Sequence, residues 1–373
     1  MRLWQVFQKK SRYSCPVCHS RNVIKKATRN GKRRFLCKEN NHWFEINFNH
    51  HNAESPPLWV QYIDGLAFRK LGAQINYSGV QVYNKVIPQL EALPDNIEVT
   101  KEYCDMAKMS GTLIVDGKFV KVRGHNKKIP FIFGIDYESH DIVNDQLSLA
   151  EDGQTFDKFF RELKQAGYPL KIVVSDDRAG LKTACLRHYP GVLFQTCVGH
   201  FMENLRKLLS TRTDDKYQHF LNSLKLHVFT EPRNMAEAIG GLMLVRDNHG
   251  QTDPTVQNII LEIHSRQDEF FAYHKVTNCP NNTNLIELFN SHLNGRLETI
   301  KGFTSFKSAA QWLNGWVLRR RTKKFTDCDK KFKHLNGKCS LEMTIKKQPL
   351  WAIILQKLYK TKIPKSGIQE PEI

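Results

Sequence analysis

The 373-residue sequence predicts an α/β protein built from unlike parts, and three observations predict it. Short apolar runs of strand length fall between residues 110 and 205 and alternate there with amphipathic helical stretches. Residues 207–282 then lose strand signals and turn helical in periodicity. Ahead of both, residues 12–48 carry cysteines in a paired spacing, in a segment too small to fold on an apolar core alone. The whole chain has room for two or three domains and a sizeable core.

Composition narrows the class. With 40% hydrophobic and 25% charged residues the chain reads as globular and soluble. The formal net charge is +19, unevenly placed. Residues 1–52 hold 12 Lys/Arg against 2 Asp/Glu, residues 296–373 hold 18 against 6, and the middle is slightly acidic. Two basic flanks around a near-neutral middle fit a polyanion gripped at several points. Nine cysteines, an odd number without short regular spacing, argue against a disulfide scaffold. Met1 to Lys10 has no apolar signal-peptide core, and Leu350 to Leu355 is too short to span a bilayer. An intracellular, reduced protein with no membrane partner is expected.

Residues 1–50 are expected to be a zinc ribbon. Cys15, Cys18, Cys37 and His42 give C-x2-C-x18-C-x4-H, two sequence-distant pairs that can close a tetrahedron around Zn²⁺. His19 competes with His42 for the fourth place; spacing favours His42. Val23 to Phe35 would be a hairpin turning at Arg29-Asn30-Gly31. Without metal so small a piece cannot bury enough to fold.

A polar, Pro-containing linker at 50–57 leads into residues 56–98. Trp59, Tyr62 and Ile63, then Phe68, Leu71 and Ile75, then Val82, Tyr83, Val86 and Ile87 recur at helical spacing. Asn76-Tyr77-Ser78-Gly79 reads as a turn, with Ser78 as N-cap of the third helix. Three short helices in this arrangement read as a helix-turn-helix. Gln81, Asn84 and Lys85 then face outward, suited to base edges and phosphates. A plain three-helix bundle would show the same periodicity.

Between 110 and 206, strands are expected at 112–116, 118–123, 130–136, 171–175 and 191–196, with a turn at Asp116-Gly117. Helices are expected at 154–166, where Phe156, Phe159, Phe160 and Leu163 share a face, and at 179–187. This order, βββαβαβα, is that of the RNase H-like fold. The all-helical insertion at 207–282 carries Phe220/Leu224, Leu242/Val245 and Ile259/Ile260/Ile263. A helix over 283–300 completes the core. Residues 301–373 are helical and basic, and Arg319, Arg320 and Arg321 are expected to contact DNA.

Three acids suit metal-dependent chemistry. Asp116 lies in an apolar run, Asp176 ends another, and Glu287 sits in Thr283-Asn284-Leu285-Ile286-Glu287 near a helix start. Mg²⁺ or Mn²⁺ prefers hard carboxylate oxygens, and phosphoryl transfer commonly uses two such ions. An RNase H-like sheet offers one Asp on its central strand, one at the end of the adjacent strand and a third acid on a crossing helix. Blander roles exist for each: Asp116 in a turn, Asp176 or Asp177 as a helix cap, Glu287 in a capping box with Asn284.

These motifs together resemble the DDE transposases of the Mutator-type insertion sequences. Ser175-Asp176-Asp177-Arg178-Ala179-Gly180-Leu181 is similar to the family's Ser-Asp-Gly-x-x-Gly-Leu, with Asp177 replacing the Gly. Cys197-x2-His200 resembles its Cys-x2-His signature, for which a site-shaping role is expected rather than zinc binding. Thr283, Asn284, Ile286, Glu287 and Asn290 fit its Glu motif. The likeness covers residues 110–300. It implies a catalytic triad of Asp116, Asp176 and Glu287 holding two Mg²⁺ or Mn²⁺ ions. It further implies cleavage at transposon ends and strand transfer by direct transesterification, on terminal inverted repeats and target DNA, within a homodimer and in a prokaryotic cell. The rival readings are another RNase H-like nuclease or resolvase, and a domesticated DNA-binding regulator.

Overall fold

The computed structural model describes residues 13–29, 32–47, 56–211, 213–250, 253–328 and 330–359. They divide into two units, Met1–Pro56 and Pro57–Ile373.

In the first unit, β1 (Val23–Arg29), β2 (Lys32–Cys37) and β3 (Trp43–Asn47) form an antiparallel meander. β1 and β2 pair out to Arg29 and Lys32; the expected turn at Asn30-Gly31 lies outside the described residues. Among the described residues the buried apolar set is Cys15, Val23, Phe35 and Cys37, with Tyr13 and Phe44 against it. Four buried side chains cannot offset the conformational entropy of so many residues.

The second unit begins with α1 (Leu58–Asp64), α2 (Phe68–Ile75) and α3 (Gly79–Glu91). α2 stops where Asn76 turns left-handed, at φ 61°. Ser78 then caps α3: its Oγ accepts from the Gln81 N–H at 3.2 Å while the Gln81 side chain accepts from the Ser78 N–H at 2.8 Å. A Cβ on Gly72 would meet the Tyr77 carbonyl oxygen at 2.2 Å, so only glycine permits this close return. Trp59, Ile63, Leu71, Val82, Val86 and Leu90 are buried in the same cluster as sheet residues Ile114, Phe131 and Phe133. The three helices therefore share a core with the sheet.

After α4 (Asn96–Tyr103) come β4 (Thr112–Val120), β5 (Ile129–Asp136), β6 (Ile142–Leu147), α5 (Gly153–Gln165), β7 (Ile172–Ser175), α6 (Ala179–His188) and β8 (Leu193–Thr196). The five-stranded sheet runs β6-β5-β4-β7-β8. β4 pairs antiparallel to β5 and parallel to β7, so it lies at the centre. Side chains alternate across it: Leu113 and Val115 join one core, Ile114 the other. One expectation fails here. Asp116 and Gly117 make no turn, because β4 runs through them, paired to Phe133 and Ile132. The third strand of the meander is β6, for which no strand was expected; its Asn144 and Asp145 blur the apolar signal.

α7 (Val198–Leu208), α8 (Gln218–Leu224), a π-helical turn (Lys225–Thr230), α9 (Met235–His249), α10 (Pro254–Ser265) and α11 (Gln267–Phe270) enclose a core of their own. That core begins at Val198, ahead of the expected residue 207, because α7 turns Val198, Phe201 and Leu205 into it. α12 (Asn284–Ile300) and α13 (Phe306–Thr322) then return to the sheet, followed by α14 (Ser340–Thr344) and α15 (Gln348–Tyr359). Among the described residues no helix is long and apolar enough to cross a membrane.

Candidate active site

The three acids come from three elements. Asp116 stands mid-way along β4, Asp176 follows the last residue of β7, and Glu287 lies in the first turn of α12. None plays its blander role. Asp116 is in a strand, α6 has no side-chain cap hydrogen bond, and α12 starts at Thr283 without one.

A closed chain of contacts links them. Arg178 Nη2 lies 3.9 Å from both Asp116 Oδ1 and Asp176 Oδ2. His200 touches Asp176 through Nδ1 and sits with Nε2 3.8 Å from Glu287 Oε1. Asn290, one turn beyond Glu287, donates from Nδ2 to Asp116 Oδ2 at 2.7 Å. Thr283 Oγ1 donates to Glu287 Oε1 at 3.0 Å and lies 3.2 Å from Cys197 Sγ. Arg178 and His200 thus lie between the three carboxylates. The ligand atoms that do meet within 4.8 Å of one another are those of Asp176, Cys197 and His200.

Burial, with the Asp176 charge adding to it, raises the Asp116 pKa against the opposing pull of the Gly117 N–H, Arg178 and His200. His200 is pushed up to about 10 by its hydrogen bond to Asp176 first and Cys197 second, with burial opposing. Cys197 is lowered: burial would raise it, but hydrogen bonds from His200 and Thr283 outweigh that. A hard cation would relieve the repulsion between Asp116 and Asp176, and the carboxylates present suit Mg²⁺ or Mn²⁺.

One member of the site gave no sequence signal. Glu151 is in contact with Arg178 Nη1, and its Oε1 would lie 3.1 Å from a Cβ on Gly117. Glycine after Asp116 therefore makes room for a fourth carboxylate. Asp177, the departure from the family pattern, pairs with Arg266 at the end of α10 at 2.7 Å. It is thereby turned away from the triad.

Other predicted residues divide. Cys15, Cys18 and Cys37 converge, all within 4.8 Å. The Cys15 thiol is lowered to about 7: burial raises it, but the backbone N–H groups of Cys18 and Val17 win. The His42 side chain lies outside that cluster. It is exposed, stacked against Phe44 at 6.4 Å, and only its backbone carbonyl faces Cys37. Gln81 is exposed but committed to the cap of α3, while Asn84 and Lys85 are exposed and Lys85 Nζ lies over the Tyr77 ring.

The arginine run needs a sharper correction. Arg321 is fully buried and bonded to Asp141 at 2.7 and 2.9 Å, to Asn96 at 2.7 Å and to Thr100 at 2.9 Å. No DNA can reach it. Arg319 makes a two-pronged pair with Asp64, and Arg320 lies 4.6 Å over the Phe289 ring. On a helix packed to its last turn, consecutive arginines cannot all face outward.

Comparison with known proteins agrees with the motifs. The family model described as "Transposase, Mutator family" matches residues 57–327. The transposase for insertion sequence element IS256 in transposon Tn4001 of Staphylococcus aureus is 24% identical over 269 residues, 69% of this chain and 67% of that protein. The transposase for insertion sequence element IS1201 of Lactobacillus helveticus is 23% identical, covering 62% of each. Among solved structures, the Drosophila P element transposase strand transfer complex matches at TM-score 0.40 and 9% identity, covering 71% of this chain and 92% of that one. A pre-cleavage Mos1 transpososome matches at TM-score 0.17 and 10% identity over 38% of this chain and 61% of that one. With 271 contiguous residues inside the family's bounds, the chain belongs to the Mutator family of transposases.

Proposed function

We propose that this chain is a DDE transposase with an RNase H-like core that cleaves double-stranded DNA at transposon ends and joins them to target DNA. The observation carrying this reading is the closed contact chain Asp116–Arg178–Asp176–His200–Glu287, returned to Asp116 through Asn290. The sheet order, with Asp116 on the central strand and Asp176 at the end of its parallel neighbour, supports the RNase H-like assignment.

In the reaction, water attacks the phosphodiester at the element's end and the P–O3′ bond breaks, leaving a 3′-OH. That hydroxyl then attacks a target phosphodiester, and the target's own 3′-oxygen leaves. Asp116, Asp176 and Glu287 would hold two Mg²⁺ or Mn²⁺ ions, which supply an activated attacking oxygen and stabilise the leaving one. Asn290 fixes the Asp116 carboxylate, Thr283 fixes Glu287, and His200 fixes Asp176. Thr283 Oγ1 lies 3.4 Å from the same His200 nitrogen that meets Asp176, and Cys197 hydrogen-bonds to the ring as well. The first unit would bind structural Zn²⁺ through Cys15, Cys18 and Cys37, with His42 turning in as the fourth donor. Residues 56–98 would read the terminal repeats as a helix-turn-helix, through Asn84 and Lys85. Two copies would pair two ends, inside a prokaryotic cell.

The test is cleavage of a labelled duplex carrying the element's end, in Mg²⁺ or Mn²⁺. Wild type is expected to nick it, while Asp116→Asn, Asp176→Asn and Glu287→Gln bind it equally well and leave it intact. Undiminished cleavage by any of the three removes that residue from the triad.

A further inference from the structure

α12 has two working faces. At 100° per residue, Glu287 and Asn290 point one way, and Leu285, Phe289, His292 and Arg296 point the opposite way. Behind that second face, between α1, α12, α13 and residues 323–328, lies a cavity of about 650 Å³. This is within the ~300–1,000 Å³ of small-molecule sites. Nothing in the proposed chemistry uses it.

We propose that this cavity binds one nucleotide unit, its phosphate on Arg320 and Lys323 and its base among Phe289, Trp316 and Phe325. Three observations carry this. First, the cations lining the cavity are unequally committed. Arg319 is paired with Asp64, and Arg296 donates to the carbonyls of Ile63 and Tyr62 at 2.9 and 3.3 Å. Arg320, by contrast, has a buried Nε with no hydrogen-bond partner. Basic residues ending a helix complement its dipole, but that does not explain a buried guanidinium nitrogen left unbonded. Asp327 also lines the cavity and acts on Arg320 through space, without a salt bridge to it among the described residues. Second, His140 is buried in the same wall, and its Nε2 is likewise unpartnered. It offers a hydrogen bond to a base edge or a sugar hydroxyl. Third, the walls are aromatic: Phe289, Trp316, Phe325 and Phe332 line the space.

A planar guanidinium fork suits phosphate, and aromatic faces suit any nucleobase regardless of sequence. A lone inorganic phosphate would leave the aromatic walls unused. A lipid chain would leave the buried Arg320 Nε without a hydrogen-bond partner. The nucleotide has two possible sources: an unpaired stretch of the DNA being processed, in which case the inference rests on the DNA reading above, or a free nucleotide.

The test uses full-length protein and photo-crosslinking, with 5-iododeoxyuridine placed in an eight-nucleotide single strand and, separately, 5-iodo-dUMP as the free nucleotide. Adducts are mapped by peptide mass spectrometry. The expected result is labelling of peptides holding Phe289, Trp316, Phe325 or Phe332, reduced about tenfold or more by Arg320→Ala, as for loss of a charged hydrogen bond. Lys323→Glu, on the exposed rim where it cannot disturb packing, is expected to weaken labelling too. Labelling by the single strand alone assigns the site to DNA, and labelling by 5-iodo-dUMP alone assigns it to a free nucleotide. Adducts only outside the cavity, or cavity labelling indifferent to both substitutions, would overturn the proposal. Cleavage by the same preparations reports separately: intact cleavage without cavity labelling sinks this site alone, and cavity labelling without cleavage sinks the transposase reading alone.

Discussion

Asp116 is buried beside a second carboxylate, and its environment disfavours its charge. In metal-free protein, Asp116→Asn should therefore leave the melting temperature unchanged or raise it by a few degrees, equivalent to about 1 kcal/mol in a chain of this size. Added Mn²⁺ should raise the wild-type melting temperature and leave the variant's unmoved. A variant that melts well below wild type without metal would mean that Asp116 serves folding. The placement of the three acids was legible in the sequence because each falls in a context that fixes its element: a strand core, a strand end, a helix start. Arg178 was visible only as an unassigned position of the motif. Glu151 was not visible at all, since it reaches the site from the loop before α5, and only the fold brings it to Gly117.

At the scale of elements, α13 carries the sharpest lesson. Arg319-Arg320-Arg321 reads in sequence as one basic patch, yet the helix distributes it to a surface pair, a cavity wall and the core. Arg321 ties α13 to α4 and to Asp141, and Asp141 also accepts from Ser340 at 2.8 Å and Thr344 at 2.9 Å on α14. Removing one partner of a buried ion pair costs about 3–5 kcal/mol. Arg321→Ala should lower the urea midpoint accordingly; a loss below 1 kcal/mol would show that the network is not holding these helices. His140 gives a pH counterpart. Burial, then the charges of His334, Arg320 and Lys331, depress it to about 4, and the rings of Phe325 and Phe332 pack on it. The unfolded chain takes up a proton near pH 6.5 and the folded one does not until about 4. Stability from this group is thus full above pH 6.5 and lost as pH falls towards 4, by on the order of 3 kcal/mol. His140→Gln should flatten the stability profile between pH 7 and 5; an unchanged slope would assign the effect elsewhere. The strand signals failed for a related reason. Asp116-Gly117 looks like a turn dipeptide, but pairing with Phe133 and Ile132 of β5 overrides the local preference.

For the whole molecule, the division into parts was legible where composition changes: the cysteine-bearing start, the strand-rich middle, the helical stretch ahead of Glu287. What was not legible is that α1, α2 and α3 share a core with the sheet, because periodicity shows which face is buried and not against what. The first unit, with four buried apolar side chains among its described residues, brings Cys15, Cys18 and Cys37 together. Cys15→Ser should abolish zinc uptake by that unit, read by metal analysis, with at least the ~10 kcal/mol of structural zinc binding withdrawn from its folding. Equal zinc content would remove the thiol cluster as a metal site. The central claim concerns joining, and joining is measured directly. Purified protein, Mn²⁺, a labelled duplex ending in an exposed 3′-OH at the element's end and a supercoiled plasmid are combined, beside Asp176→Asn. Labelled plasmid formed by wild type and not by the variant is the predicted result. Duplex that is bound but never joined, by protein that does cleave an uncut end, would contradict it and would leave a nuclease in the place of a transposase.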